Sequence, residues 1–371
     1  MKKTILTLCL AVLTMGFVNA QTSDKEIKFG GRMMFDMAIL KNTFDDKAIA
    51  RTEFRRVRLY SSGIISQNVK YKLNLDFVGE KIAYKDVWME LGELPFSGEV
   101  RVGRFKEPFR LEVLTSSKHI AFMERSLSSV FFPERNTGIM YNTNMKNKIS
   151  LQMGVFSNGN NFGNELQNYD VNVNGRITYS VINNENRLLH LGLAGSKRKN
   201  SDKTYGFSTR AENHLGNKLI SVSFEDVAET NVLGGEVAYV TNSLSMQAEY
   251  LQATVVGIVE TELSSYYGQI SYFLTGESRP YKSSLDGFGR IKPNNNYGGG
   301  GKGAFELVAR ISNMDLAAAN KGTLDDITLG VNWYLNPYTR VMLNYVMAEK
   351  TDLAGEITTE NAAMMRMQID F

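Results

Sequence analysis

Ile27-Lys28-Phe29-Gly30-Gly31-Arg32-Met33-Met34-Phe35-Asp36-Met37-Ala38-Ile39 alternates an apolar set (Ile27, Phe29, Met33, Phe35, Met37, Ile39, with Gly31 in phase) with a more polar one (Lys28, Gly30, Arg32, Asp36). Successive side chains of a strand point to opposite faces, so the alternation predicts one strand with an apolar and a polar side. Length decides what kind. The run outlasts the ~5–6 residues of an average soluble strand and meets the ~9–11 that cross a bilayer. The pattern recurs along the whole chain, for example at Val69-Tyr71-Leu73-Leu75-Phe77 against Lys70-Lys72-Asn74-Asp76, at Ile149-Leu151-Met153-Val155, at Ile327-Leu329-Val331-Trp333 and at Val341-Leu343-Tyr345-Met347. The final run, Ala363-Met365-Met367-Ile369-Phe371, ends the chain on an aromatic residue. A soluble sandwich would bury these apolar faces against a second sheet, whereas an outer-membrane barrel turns them to lipid and its polar faces to a watery lumen. Arg, Lys, Asp and Glu deep within the strands favour the barrel. So does the pairing of a tight connection at Asn336-Pro337 with long ones at 106–136 and 276–303, read as short turns at one end and long loops at the other.

Residues 1–20 have the form of a secretory signal: Lys2 and Lys3, an apolar run from Ile5 to Val18, and a small residue at Ala20. The mature chain, residues 21–371, is read as one domain. At roughly 20–22 residues per strand with its share of connections, it predicts about sixteen antiparallel strands. No later apolar run reaches helix-spanning length, so a membrane location requires a barrel. Cys9 is the only cysteine and lies in the segment to be removed, which leaves no disulfide, cysteine metal site or thiol nucleophile. His119, His190 and His214 lack metal-ligand spacing. No cofactor is expected. Net charge falls from +3 to +1 once Lys2 and Lys3 are gone, which does not suit a nucleic-acid binder. A hydrolytic dyad of His119 with Ser116 or Ser117 has no third residue to orient it and no nucleophile elbow, so an enzyme is not expected.

Alternation stops from Lys106 to Asn136, a long gap for a strand-dense chain. The segment carries its own apolar residues (Phe109, Leu111, Val113, Leu114, Ile120, Phe122, Met123, Phe131, Phe132), so it is expected to fold inward and narrow the barrel as a constriction loop. Its charges are Lys106, Arg110, Lys118, Arg125 and Arg135 against Glu107, Glu112, Glu124 and Glu134, with His119 beside Lys118. The segment 276–303 is more basic, with Arg279, Lys282, Arg290, Lys292 and Lys302 against Glu277 and Asp286. On the strands, Arg56 and Arg58 share one face, as do Lys70 and Lys72. With strands ~4.8 Å apart, these four are read as one compact lumen patch. Like charges so close cost energy unless an anion or a carboxylate (Asp76, Asp36 or Glu53) relieves them. A wall of this kind attracts anions, and the planar fork of arginine suits phosphate.

Two motifs then give the chain a family likeness. Gly103-Arg104-Phe105-Lys106-Glu107-Pro108-Phe109, continuing through Leu114-Thr115-Ser116-Ser117 and Phe122-Met123-Glu124-Arg125-Ser126, resembles the signature of the phosphate-selective porin O and P family. Phe273-Leu274-Thr275-Gly276-Glu277-Ser278-Arg279-Pro280-Tyr281 with Gly287-Phe288-Gly289-Arg290-Ile291-Lys292-Pro293 resembles its second, and Arg55-Arg56 fits as well. The resemblance implies a sixteen-stranded, usually trimeric porin of the Gram-negative outer membrane, with a constriction lined by Arg and Lys. It carries a phosphate-binding role onto Arg55, Arg56 and Lys118. The sequence departs from it in having no dense arginine ladder, only Lys197-Arg198-Lys199. The expected function is passive diffusion of small anions, phosphate or polyphosphate among them, through a channel set in lipid. Phe371 would serve as the address for barrel assembly. The alternatives are a nonspecific or cation-preferring porin, a non-conducting binding barrel and a barrel hydrolase.

Overall fold

The two parities of each strand face different surroundings. Phe29 and Ile39 are 61% and 58% exposed, while Arg32 and Asp36, one step out of phase, are buried. The same holds at Met153, Ile177, Leu307 and Leu343, each outward and exposed beside a buried polar neighbour (Gln152, Arg176, Glu306 and Asn344). A soluble protein would not leave such a band open to water; a barrel presents it to lipid.

The computed structural model describes residues 25–42, 45–79, 81–146, 148–159 and 170–371; the expected signal, 1–20, lies outside them. Sixteen strands form a closed antiparallel barrel: β1 (Glu26–Asn42), β2 (Asp45–Ser66), β3 (Val69–Asp76), β4 (Ala83–Leu94), β5 (Gly98–Lys106), β6 (Arg135–Met145), β7 (Ile149–Ser157), β8 (Asn172–Asn184), β9 (Arg187–Lys199), β12 (Glu229–Thr241), β13 (Leu244–Val256), β14 (Glu260–Phe273), β17 (Ala304–Asp315), β18 (Thr323–Asn336), β19 (Thr339–Thr351) and β20 (Ile357–Asp370). Two small hairpins, β10–β11 (Thr204–Thr209, Ile220–Glu225) and β15–β16 (Tyr281–Ser283, Gly287–Phe288), lie in the connections. β1 pairs with β20, and the seam ends where Gly31 N–H donates to the Phe371 carbonyl at 2.9 Å and Phe371 N–H returns the bond at 3.1 Å. A barrel of this size is wide enough for an aqueous interior.

Among the described residues, three connections enter that interior. Residues 107–134, bounded by Lys106 on β5 and Arg135 on β6, cross to strands remote in the chain. Leu111 and Glu112 N–H groups donate to Glu236 on β12 and Glu249 on β13 at 2.9 and 2.7 Å. Asn332 on β18 and Arg340 on β19 donate to the carbonyls of Ala121 and Ile120 at 2.7 and 2.8 Å. The apolar residues of this loop are buried, as their number suggested. Phe109, stacked on Phe132 at 4.4 Å, packs with Phe131 against the inner faces of Val232, Leu251, Leu263 and Met314. The lumen wall is therefore not polar all round. On β12–β18 it is partly apolar because the loop covers it, which leaves open space beside β1–β6.

Residues 200–228 enter from the same end, where Glu212 binds Arg310, Ser312 and Thr328 on β17 and β18. Residues 274–303, expected at the same end as the constriction loop, instead enter from the opposite end, the one with the tight turns, where β1 begins and β20 ends. Antiparallel order fixes this, since β14 runs toward the turn end and its connection must begin there. The two insertions meet inside the barrel, where Phe288 N–H donates to Thr115 Oγ1 at 3.2 Å. Gly287, at φ +64°, is needed there: a Cβ would collide with Thr115.

Candidate functional site

Among the described residues, two chambers lie along the β1–β6 wall, one toward the loop end (about 330 Å³) and one toward the turn end (about 350 Å³). Arg58 and Glu134 border both and mark the throat between them. Basic side chains prevail in each. The loop-end chamber has Arg55, Arg56, Arg58, Lys85, Arg110, Arg125 and Arg210 against Glu124, Glu134 and Glu212. The turn-end chamber has Arg32, Arg58, Lys72, Arg101, Lys106, Lys118, Arg135 and Lys282 against Asp86, Glu134 and Asp286.

A β-bulge brings Arg55 and Arg56 inward together. Met34 pairs with Arg56 but Phe35 pairs with Phe54, so Arg55 is the extra residue and both arginines face the lumen. Bulges re-aim side chains in this way and are common beside functional sites. Arg55 holds the loop carboxylate Glu124 with two hydrogen bonds, at 2.8 and 2.9 Å. Burial works against the charge on Glu124, but Arg55, Arg56 and Arg366 outweigh it and keep the carboxyl well below its ordinary range. Arg56 has no carboxylate within ion-pair distance among the described residues. It is 5% exposed, its Nη1 lies 3.7 Å from the sulfur of Met34, and its Nε finds no acceptor among those residues. Arg32 is placed alike, with Nη1 donating to Ser117 Oγ at 2.9 Å and Nε unpartnered among the described residues. Ser116 and Ser117, set beside His119 as a conceivable dyad, both accept from Arg32.

The register separates the four cations read as one patch. Arg58 lies opposite Asp76 and binds it at 2.7 Å, whereas Lys72 lies opposite Ser62 and Lys70 opposite Ile64. Lys72 therefore reaches the turn-end chamber. Lys70 lies outside both chambers and pairs with Glu99 at 2.6 Å. In the constriction loop, Lys106 and Arg125 clamp the carbonyls that end the short helix α1 (Leu111–Leu114) while lining the chambers, and Lys118 pairs with Asp370 at 3.1 Å. His119 is held neutral, its pKa lowered well below the ordinary histidine range by burial and by the neighbouring Lys118, Arg290, Arg340 and Lys282. Arg110 lines the loop-end chamber at φ +70°, a left-handed position rare for arginine. Arg279 sits over the Phe288 ring at 4.0 Å, and Arg290 bonds Asp370 and the Pro337 carbonyl; neither lines a chamber. Arg198, from the Lys197-Arg198-Lys199 run, is at the end of β9 and buried against Glu107. Arg32 could have been found from its strand parity. Lys282 and Arg210 carry no such signal, because each lies on an irregular insertion.

A family model described as phosphate-selective porin O and P matches residues 27–371. Porin O of Pseudomonas aeruginosa is 26% identical over 401 aligned residues, covering 95% of this chain and 89% of that protein. The fold is similar to that of an anion-selective porin from Comamonas acidovorans (TM-score 0.59, 14% identity, 94% of this chain and 100% of that one). It is also similar to OmpT of Vibrio cholerae in its trimer form (TM-score 0.56, 9% identity, 94% and 100%). A closed sixteen-stranded barrel with a lipid-facing band and a cation-rich lumen fits what these comparisons give, and the chain belongs to the phosphate-selective porin O and P family of outer-membrane porins.

Proposed function

We propose that this chain forms a water-filled channel for passive diffusion of small anions, phosphate and polyphosphate among them, and that it works as a homotrimer. Residues 1–20 would direct export and Phe371 would be read by the assembly machinery. One observation carries the anion preference: both chambers hold an excess of fixed cations, and Arg32 and Arg56 have no carboxylate partner among the described residues. An uncompensated cation in a partly dry wall favours any anion that passes. A few such charges around water hold it weakly enough to let it go, which conduction requires.

With the protein in a planar bilayer under a potassium chloride gradient, the reversal potential is expected to have the sign of chloride preference. Potassium preference would overturn the reading and leave the cation-porin alternative. The preference is also expected to depend on pH. Burial pushes the Lys118 amine down to about 8, Arg32 and Arg290 add to that, and Asp370 opposes it. Lys118 is thus charged at pH 7 and largely neutral at pH 9, so the chloride-to-potassium permeability ratio should fall across that interval. Lys118→Arg should flatten the profile; a variant that keeps the wild-type slope would assign the effect to another group.

A further inference from the structure

The two chambers differ in one respect that charge does not explain. Among the described residues, no Phe, Tyr or Trp lines the loop-end chamber, whereas Tyr60, Trp88, Phe105 and Phe288 all line the turn-end one. Tyr60 and Trp88 stand on the lumen face of strands that already turn abundant apolar residues to lipid, so barrel stability gives no reason for rings there. Both are only partly buried. Each also lies beside a cation. Lys72 pairs in register with Trp88, the Arg101 guanidinium sits 4.1 Å from the Trp88 ring centre, and Lys118 Nζ is 5.6 Å from that of Tyr60. The chamber volume, about 350 Å³, falls in the roughly 300–1,000 Å³ range of sites that take organic ligands.

Resting on the anion-channel reading, we propose that the turn-end chamber favours phosphomonoesters that carry a flat ring over inorganic phosphate. The phosphate group lies among Arg32, Lys72 and Lys118, and the ring lies along Trp88 and Tyr60. Aromatic side chains hold flat ring systems with little regard to their substituents, and the cations beside them, Arg101 over one face of Trp88 and Lys118 over Tyr60, fix which end of the solute carries the charge. The throat at Arg58 and Glu134 then passes a phosphate already oriented head first.

The test uses the full chain in planar bilayers, with chloride current blocked by inorganic phosphate or by phenyl phosphate. Phenyl phosphate is expected to half-block at roughly a tenth of the phosphate concentration, equivalent to about 1.4 kcal/mol. Trp88→Ala should remove most of that difference while leaving the block by inorganic phosphate in place, and Trp88→Phe should retain it. Tyr60→Ala is an independent arm, with a partial loss expected. Equal block by the two compounds in a chloride-preferring wild-type channel would overturn this inference alone, as would a Trp88→Ala channel weakened equally toward both. A potassium-preferring wild-type channel would overturn the anion reading and this inference with it.

Discussion

Glutamate in place of both Arg56 and Lys118 is expected to turn an anion-preferring channel into a cation-preferring one. The two residues stand in different chambers, so a permeant ion meets both in series. A unit charge ~5 Å from a passing ion acts on it with about 1–3 kcal/mol at effective dielectric constants between those of water and of a protein surface. Reversing two such charges should shift the chloride-to-potassium permeability ratio at least tenfold. Arg56 should contribute the larger part, since it has no carboxylate partner among the described residues, whereas Lys118 is already half-compensated by Asp370 at 3.1 Å. Arg56→Gln and Lys118→Gln, each removing one charge, should give intermediate ratios. Reversal potentials measured on correctly inserted channels check this, and a double variant with unchanged selectivity would remove both positions from the conduction path.

Arg366→Ala is expected to have the largest effect on the fold. The guanidinium is fully buried, binds both oxygens of Asp36 across the β1–β20 seam at 2.7 and 2.6 Å, and reaches Glu124 and the Met123 carbonyl on the constriction loop. Its loss leaves Asp36 buried and charged with no ion-pair partner among the described residues, at about 3–5 kcal/mol. The variant should therefore unfold from its heat-modifiable barrel form in detergent at a markedly lower temperature. The loop should loosen less, because Arg55 and Asn344 still hold Glu124 and Met123; added current noise, not a wide-open channel, is the expected electrical sign. Pairing Arg366→Met with Asp36→Asn should restore most of the thermal resistance without restoring the quiet current. If it restores neither, charge burial is not what Arg366 relieves.

The barrel was legible in the sequence because lipid imposes one parity on every spanning strand, and that parity survives without any knowledge of neighbours. Strand pairing was not. The compact patch of Arg56, Arg58, Lys70 and Lys72 assumed side-by-side registry, but the β2–β3 register places Asp76, not Lys72, opposite Arg58. Arg55 reaches the lumen only through a bulge, which nothing in Glu53-Phe54-Arg55-Arg56-Val57 announces. The inward path of 107–134 was foreseeable from its many apolar residues, since a segment that greasy must cover something. The entry side of 274–303 depends instead on how many strands precede it, a count that single-sequence reading left approximate. Likewise, arginines spread over β1, β2, β5 and β6 come to line the same two chambers only once the sheet has curved.

The hydrogen bonds between Gly31 and Phe371 join β1 to residues far along the chain, so the ring cannot be shut until β20 has been brought beside β1. A product cut short by even one strand would keep β1 as a bare selvedge, open to lateral stitching with a neighbour, while its lumen insertions already occupied the bore. Closure thus depends on both edge strands at once: the barrel seals only when β1 and β20 have met.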